Sequence, residues 1–409
     1  GNGNWATKED SLLAYNSENG NFKPLPFDFT RASSATVVNK AGLIETVGGG
    51  EPRIDFSNDA KGALLLEPQR LQQIQYSEDF TEWTNDRVTV SENQVISPNG
   101  TLNADLIAEN SENNIHRIYI GSISLTDNID YTISVFAKKG SSNVIQLTAT
   151  STSAIGSGRA NFDIENGVLG NVIGGNAIIE NYGNGWYRCI YTFEALANAT
   201  SAISVNLVND DLTALRNTTY TGNINNNVYL YGAQLEQGSY ATSYIPTQGS
   251  AVTRSADSNT TQVATNSVIG QTEGTIFYDI NFNNIETSSQ YIGVLSDGSS
   301  TNRIQFLNNI SQDWQLFITA STISSNINLT TSTTGVGRYK IAIAYKSGDV
   351  VFYVNGVQKG TSTETFTFSN LLHFDLGQRY DDNFFLDNSI NNSKLYNTRL
   401  SNAELQALT

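Results

Sequence analysis

The chain has 409 residues, of which 39% are hydrophobic and only 15% are charged. Domains usually span about 150 residues, so this length is enough for two or three domains, each with its own core. Its 39 acidic and 23 basic side chains give a formal net charge of −16, which is the wrong sign for binding phosphate backbones. The composition therefore predicts a folded protein and argues against a nucleic-acid partner.

Three further features narrow the class of protein. Cys189 is the single cysteine, which excludes an internal disulfide framework and a cysteine-rich zinc site. No apolar stretch approaches the ~20 residues that span a bilayer, so we expect no membrane insertion. Methionine is absent even from position 1, so we expect the chain to be a processed or partial product.

Short segments with period-two alternation lie between clusters of Asn, Gly and Ser, a pattern typical of antiparallel sandwiches. In residues 76–250 these segments are Tyr131–Lys138, Val144–Thr150, Ile203–Leu207 and Val228–Glu236. They predict one antiparallel sandwich over residues 76–250. The same residues carry 7 basic and 17 acidic side chains, so this sandwich has a net charge of −10 and should repel polyanions.

The Ser-, Thr- and Asn-rich stretch Ser255–Ser267 has the composition of a linker, which we place at residues 251–270. Residues 271–409 then predict a second sandwich, with strands at Ile276–Phe282, Trp314–Ala320 and Lys340–Lys346. Asn355-Gly356 predicts a type I′ hairpin, because both residues accept the positive φ angles of that turn. The chain should end in a short helix at Ser401–Leu408, since Ser401 and Glu404 form a capping box.

The fold class expected is therefore all-β, with two antiparallel sandwich domains, one short C-terminal helix and an N-terminal segment, residues 1–75, that is β-rich or irregular. Catalysis is not expected. His116 and His373 are the two histidines, and neither stands near a nucleophile motif. Glycoside cleavage needs only two carboxylates, but no pair stands in an informative context.

The best candidate for ligand binding is the segment Gln378–Phe385, a loop between predicted strands. Arg379, Tyr380, Asp381 and Asp382 place a guanidinium, an aromatic ring and two carboxylates together, and such groups recognise sugars. An equally weighted alternative is a solvated turn whose Asp and Asn side chains make local hydrogen bonds.

Two further assignments complete the candidate site. Trp83 lies in a loop-like stretch and is a second candidate sugar contact, whereas Trp186 and Trp314 should be core residues. Asp381, Asp382 and Asp387 are candidate ligands for Ca²⁺, although their spacing lacks the regular pattern of oxygen ligands.

The first seventy residues carry an ordered series of motifs. They are Phe29-Thr30-Arg31-Ala32-Ser33-Ser34-Ala35-Thr36, Gly42-Leu43-Ile44-Glu45, Pro52-Arg53-Ile54 and Gly62-Ala63-Leu64-Leu65-Leu66-Glu67-Pro68-Gln69-Arg70. This series resembles a segment of the tail-fibre, spike and head-fibre proteins of tailed bacteriophages and prophages, where it runs into a carbohydrate-binding-like jelly roll.

The jelly-roll continuation is carried by Gly183-Asn184-Gly185-Trp186-Tyr187-Arg188 and by Tyr231-Gly232-Ala233-Gln234-Leu235-Glu236. Related jelly rolls often hold a structural calcium with an Asp pair where Tyr231-Gly232 stands here. The last 150 residues resemble the concanavalin A-like or laminin G-like sandwich of phage fibres, through Glu273-Gly274-Thr275 and Leu376-Gly377-Gln378-Arg379.

The resemblance implies a homotrimeric fibre or spike on the virion surface. Its N-terminal region would contact other virion proteins, and its sandwiches would bind polysaccharide on the host cell surface. Two alternatives stay open: a secreted or cell-surface bacterial polysaccharide-binding protein, and a capsid decoration without a specific ligand.

Overall fold

The computed structural model describes residues 6–8, 11–16, 21–24, 27–261, 269–283, 288–321, 326–332, 335–383 and 385–409. This part of the chain is all-β, as predicted. Its helices are a 3₁₀ turn at Phe80–Glu82, α1 at Thr152–Ile155 and α2 at Asn402–Leu408. No helix among these residues is long and apolar enough to cross a membrane.

The strands are numbered in chain order. The first nine are β1 Ala6–Lys8, β2 Ser11–Asn16, β3 Asn21–Pro24, β4 Phe27–Thr30, β5 Ala35–Val38, β6 Ile44–Val47, β7 Arg53–Asp55, β8 Ala63–Leu66 and β9 Arg70–Gln72. The next fifteen are β10 Thr84–Asp86, β11 Val88–Ile96, β12 Leu102–Glu109, β13 Asn113–Asn114, β14 His116–Leu125, β15 Asp130–Lys139, β16 Val144–Ala149, β17 Arg159–Asp163, β18 Val168–Ile173, β19 Asn176–Asn181, β20 Trp186–Glu194, β21 Ala199–Leu207, β22 Tyr220–Thr221, β23 Asn227–Gln237 and β24 Val252–Arg254. The last eleven are β25 Ser258–Thr261, β26 Glu273–Phe282, β27 Gln290–Ser296, β28 Arg303–Asn308, β29 Asp313–Thr319, β30 Ile327–Ser332, β31 Gly337–Lys346, β32 Val350–Val354, β33 Val357–Ser362, β34 His373–Leu376 and β35 Asn388–Tyr396.

The chain folds as two compact units. The middle unit comprises residues 41–45 and 70–254, and the terminal unit comprises residues 1–40, 46–69 and 255–409. This division differs from the predicted one, in which residues 1–75 form a segment of their own. The difference arises because β8 pairs with β35 and β7 pairs with β8, so that residues 53–66 extend a sheet of the terminal unit.

The middle unit contains two antiparallel six-stranded sheets. One has the order β10-β14-β21-β16-β17-β18 and the other β11-β12-β23-β15-β20-β19. Alternating apolar side chains such as Val135, Leu147 and Ile203 fill the core between them and are fully buried. Trp186 is also buried, as predicted, and its indole N–H donates a 3.0 Å hydrogen bond to the carbonyl oxygen of Ile96.

The terminal unit contains a seven-stranded sheet, β33-β32-β31-β26-β35-β8-β7, and a five-stranded sheet, β30-β29-β28-β27-β34. Tyr278 and Ile343 of the first sheet and Phe306, Trp314 and Leu316 of the second share one hydrophobic core. The predicted hairpin is confirmed: β32 pairs with β33, and the two turn residues have φ angles of 48° and 76°. The capping box of α2 is confirmed as well.

The predicted linker is partly wrong. Residues 251–270 contain strands β24 and β25, and residues 262–268 lie outside the described part of the chain. Asp257 between the two strands is 1% exposed, and one carboxylate oxygen lies 2.9 Å from Nη1 of Arg31 while the other pairs with Arg53. A linker would leave this carboxylate in water, whereas here it is buried with two guanidinium groups.

Candidate functional site

The five-stranded sheet of the terminal unit has one face in the core and one face outside it. Successive residues of a strand point to opposite faces, so Ile304 and Phe306 of β28 enter the core while Arg303, Gln305 and Leu307 lie on the outer face. Residues directly opposite in an antiparallel pair share a face. The outer face therefore also carries Thr319 and Phe317 of β29, opposite Arg303 and Gln305.

Strand β34 brings Asp375 to the same face. Asp375 is paired with Val294 of β27, and Val294 is paired with Gln305 of β28, so the three residues form a row across the sheet. The Asp375 side chain is 4% exposed. Burial, together with the negative charge of Asp382, raises the pKa of the Asp375 carboxyl to about 7.

The predicted binding loop begins immediately after β34. Gly377 has a φ angle of 76°, and a Cβ atom there would lie 2.3 Å from Cδ1 of Leu66, so the turn requires glycine. The N–H of Arg379 donates to the carbonyl oxygen of Asn383 at 2.9 Å, and the N–H of Asp382 donates to that of Arg379 at 3.1 Å. The loop is thus a closed turn held by its own backbone.

The charged side chains of the loop are paired with each other. Nε of Arg379 donates to one carboxylate oxygen of Asp381 at 2.7 Å, and Nη2 donates to the other. This hydrogen bonding lowers the pKa of the Asp381 carboxyl. Gln378 donates to Asp382 at 2.7 Å and accepts from the backbone N–H of Asn259 at 3.0 Å. The alternative of a turn with local hydrogen bonds therefore describes both aspartates well.

Tyr380 of the loop packs on the outer face of the sheet against Tyr291, Val294 and Leu307. The guanidinium carbon of Arg303 lies 5.1 Å from the centroid of the Tyr380 ring and 5.6 Å from that of Phe317. Such distances are typical of cation–π contacts. A guanidinium group and two aromatic rings thus form a stack beside the loop.

Several polar atoms around this stack have no hydrogen-bond partner among the described residues. They are Nε and Nη1 of Arg303, Oε1 of Gln305 and Oγ1 of Thr319, and all are buried. A buried polar group without a partner costs about 1–3 kcal/mol, so its presence calls for a ligand, a water or a functional reason. We name the set Arg303, Gln305, Asp375, Arg379 and Tyr380 the outer-face site.

The structure brings together four of the sequence-predicted residues, Arg379 to Asp382, in this one loop. Asp387 is 3% exposed and belongs to the buried part of the chain that follows the loop. Within the described ranges, no three His, Cys, Asp or Glu side chains are arranged to hold a metal ion. The candidate Ca²⁺ ligands Asp381, Asp382 and Asp387 therefore do not form such a group in this structure.

The prediction that Trp83 contacts a sugar is wrong. Its side chain is 3% exposed, its indole N–H donates to the carbonyl oxygen of Tyr76 at 2.9 Å, and its ring centroid lies 5.1 Å from that of Phe80. A ring buried on both faces has no surface to offer a sugar. The loop-like sequence around Trp83 reflects a short 3₁₀ turn that covers the core of the middle unit.

His116 and Cys189 are both buried in the middle unit. The His116 ring is buried, with Nδ1 2.9 Å from the carbonyl oxygen of Arg87 and Nε2 3.3 Å from that of Tyr220. Cys189 is fully buried, and burial raises the pKa of its thiol. Neither residue lies on the outer face of the five-stranded sheet.

Residues 255–406 match a family model described as the concanavalin A-like lectin/glucanases superfamily. The C-terminal part of the chain is thus a concanavalin A-like sandwich, as the sequence motifs imply. This match covers the strands that carry the outer-face site. No protein with a curated description matched the chain.

Solved structures with some likeness to the chain are distant from it. The CBM40 module of a Ruminococcus gnavus IT-sialidase is 16% identical over 35% of this chain and 85% of its own, with a TM-score of 0.31. Domain 4 of AbnA, a GH43 extracellular arabinanase from Geobacillus stearothermophilus, is 16% identical over 37% of this chain and 72% of its own, with a TM-score of 0.30. Domains LG4-5 of the mouse laminin alpha1 chain are 10% identical over 70% of this chain and 86% of their own, with a TM-score of 0.26.

Proposed function

We propose that this chain is a glycan-binding protein and that its outer-face site contacts the sugar. The observation that carries the proposal is the stack of Arg303 with Phe317 and Tyr380, next to buried polar atoms without partners. Sugar rings pack their C–H surfaces on aromatic side chains, and their hydroxyls exchange hydrogen bonds with amides, hydroxyls and carboxylates. The match of residues 255–406 to the concanavalin A-like lectin/glucanases model supports the same class of function.

The loop contributes mainly through Tyr380 and Arg379 in this proposal. Asp381 and Asp382 hold the loop in shape through their bonds to Arg379 and Gln378, so they position the two contact residues. We propose binding rather than catalysis, because sugar recognition needs only this arrangement of rings and polar groups. Calcium has no role in the proposal.

We further propose that the protein is a fibre or spike of a tailed bacteriophage or prophage, exposed on the virion and trimeric. The ordered motifs of residues 29–70, together with the jelly-roll motifs that follow, support this assignment. In this setting the ligand is a polysaccharide of the host surface. The concanavalin A-like match is equally compatible with a secreted or cell-surface bacterial polysaccharide-binding protein, and the genes that flank the coding sequence distinguish the two.

The substitution Tyr380→Leu tests the proposed site. Leucine keeps the apolar contact with Val294 and Leu307 but removes the aromatic face. We expect binding to a panel of purified bacterial surface polysaccharides, measured by biolayer interferometry, to weaken at least about tenfold, which corresponds to about 1.4 kcal/mol. The melting temperature should change little.

Tyr187→Leu is the matched control, because Tyr187 is a half-buried tyrosine of the middle unit. This control should bind the same polysaccharides as the wild-type protein. Unchanged binding by Tyr380→Leu would move the site away from the outer face of the sheet.

A further inference from the structure

Arg303 is unusual among the arginines of this protein. Within the residues that the structure describes, each of the other arginines donates a hydrogen bond or pairs with a carboxylate, whereas Arg303 does neither. Arg379 in the same site is already neutralised by Asp381. A guanidinium group carries five N–H donors and a permanent positive charge, so leaving it unpaired is costly.

The described residues around Arg303 fix the position of its guanidinium group without accepting hydrogen bonds from its N–H groups. The rings of Phe317 and Tyr380 hold the guanidinium by cation–π contact, and these contacts use none of its N–H groups. Two residues further along the same strand, Gln305 is 6% exposed and its Oε1 atom lacks a partner. Thr319 lies directly opposite Arg303, and its hydroxyl has no partner within the part of the chain that the structure describes. Among the described residues, the site therefore offers one cation without a hydrogen-bond partner, beside an amide and a hydroxyl.

We infer that the outer-face site binds a carboxylate-bearing saccharide, a uronic or sialic acid unit, with Arg303 as the counter-ion of the carboxylate. This inference rests on the proposed function and specifies the ligand of the same site. A planar guanidinium pairs with a carboxylate through two parallel hydrogen bonds. In this inference, the amide of Gln305 and the hydroxyl of Thr319, which share the face of the sheet with Arg303, bond hydroxyl groups of the same sugar.

A single carboxylate fits the charge of the site better than a phosphate monoester does. Arg303 supplies one unpaired positive charge, and the chain as a whole has a formal net charge of −16. A dianion would leave one negative charge uncompensated in this acidic protein. A monoanionic carboxylate requires one positive charge, which Arg303 supplies.

The test uses polygalacturonate and colominic acid, each next to its carboxyl-reduced form, with the full chain as the binding protein. We expect at least one of the two acidic polymers to bind, its reduced form to bind at least tenfold more weakly, and Arg303→Gln to lose at least tenfold in affinity for the acidic form. Arg303→Lys should retain part of the affinity, because it keeps the charge but not the planar fork. The melting temperature of Arg303→Gln should change little, since the loss of the two cation–π contacts is offset by the removal of buried N–H groups that have no hydrogen-bond partner among the described residues.

The outcomes separate the two proposals. Equal binding of the acidic and reduced polymers, or an affinity of Arg303→Gln equal to that of the wild-type protein, would overturn the carboxylate assignment and leave glycan binding standing. Dextran sulfate that binds as tightly as the carboxylated polymers would also overturn it, because the site would then recognise negative charge in general. Failure of both acidic polymers to bind, while other polysaccharides of the panel do bind, would also overturn the carboxylate assignment. If no polysaccharide binds at all, the proposed function itself fails.

Discussion

The buried position of Asp375 raises the pKa of its carboxyl group to near neutral pH. Val294 lies opposite Asp375 in the neighbouring strand, and Asp382 of the loop adds a negative charge nearby. No positively charged group is among the causes of its pKa shift, so nothing compensates the burial. Near neutral pH the site therefore contains a carboxyl group that is partly protonated and able to donate a hydrogen bond to a sugar oxygen.

The raised pKa of Asp375 predicts a pH-dependent stability. Unfolded aspartate titrates near 3.9, whereas folded Asp375 titrates at about 7, so between these values the folded state binds the additional proton. Stability should consequently fall as the pH rises from about 4 to about 7 and then level off, by up to roughly 4 kcal/mol for this group.

Asp375→Asn should remove this dependence. We expect the variant to resemble the wild-type protein at pH 4 and to be the more stable of the two at pH 8, as judged by the urea midpoint at each pH. Asp381→Asn is the contrasting control, because hydrogen bonding to Arg379 lowers the pKa of Asp381 and its substitution should destabilise the protein at neutral pH. A wild-type protein no less stable at pH 8 than Asp375→Asn would contradict the assignment.

The sequence predicted the loop residues of the outer-face site but not the residues that lie on its strands. Arg379 to Asp382 were recognisable because chemically distinct side chains stand next to each other between two strands. Arg303 and Gln305 of β28 and Asp375 of β34 were not, because these two strands are far apart in the sequence and are brought together only by β27, which pairs with both. The one available signal was a polar or charged residue at alternate positions of an otherwise apolar strand, and that signal does not say which strands are neighbours.

At the scale of single elements, local turn chemistry was the most predictable feature. Asn355-Gly356 specified its hairpin, and Ser401 with Glu404 specified the start of α2, because each of these devices is complete within four residues. Gly377 is different: its φ angle is equally local, but the close approach of Leu66 depends on β8, which is about three hundred residues away in the sequence. The need for glycine at position 377 could therefore not be predicted from the sequence.

Two glycine substitutions separate the local and the tertiary contribution. Gly356→Ala introduces only the strain of a positive φ angle, because a Cβ atom there has no neighbour within 4 Å, and we expect it to cost about 1 kcal/mol of unfolding free energy. Gly377→Ala adds a clash with the buried Leu66 to a similar strain, and we expect a cost of about 3 kcal/mol. Urea unfolding of the two variants measures the difference.

The position of Gly377 adds a functional expectation to that comparison. Gly377→Ala should also weaken polysaccharide binding, because Gly377 sets the direction of the loop that carries Tyr380. Gly356→Ala should leave binding unchanged. Equal losses of unfolding free energy in the two variants would contradict this expectation, because they would show that Leu66 moves away from the added methyl group at no cost in stability.

For the whole molecule, the fold class followed from alternation, but the division into units did not. Period-two patterns identify strands without naming their partners, and here the strands of residues 53–66 pair with β35 near the C-terminus. The charged residues did not reveal the division into units either. In the sequence there is nothing to distinguish Arg31, Arg53, Glu67 and Asp257 from surface residues. In the structure they form one buried ionic cluster that joins Asp257 to residues of the first seventy.

This cluster is a strong constraint on the terminal unit. Burial alone would lower the pKa of the Arg53 guanidinium, but the carboxylates of Asp257 and Glu67 raise it overall. Asp257 also accepts a hydrogen bond from the backbone N–H of Glu67 at 2.9 Å. Removing one side of a buried ion pair typically costs about 3–5 kcal/mol. The carboxylate of Asp257 therefore needs the N-terminal residues that surround it.

We therefore expect a fragment of residues 255–409 to be unable to fold alone, although it contains the entire concanavalin A-like match. It would lose Leu64 and Leu66 from its core, at about 2–5 kcal/mol each by analogy with large-to-small core substitutions, and would leave Asp257 without Arg31 and Arg53. Together these losses are comparable with the usual stability of a domain, about 5–15 kcal/mol.

A peptide of residues 27–69 should restore the fold, because it supplies β4, β7 and β8 together with both arginines. Tryptophan fluorescence of Trp314, the single tryptophan of the fragment, reports the change, and circular dichroism should gain a β-sheet signal in parallel. A peptide with Arg31→Gln and Arg53→Gln should restore far less, since it rebuilds the sheet but leaves the carboxylate of Asp257 without a cation. If the fragment alone is cooperatively folded and its melting temperature does not respond to the peptide, the first seventy residues are an accessory to the sandwich and the buried cluster does not hold it together.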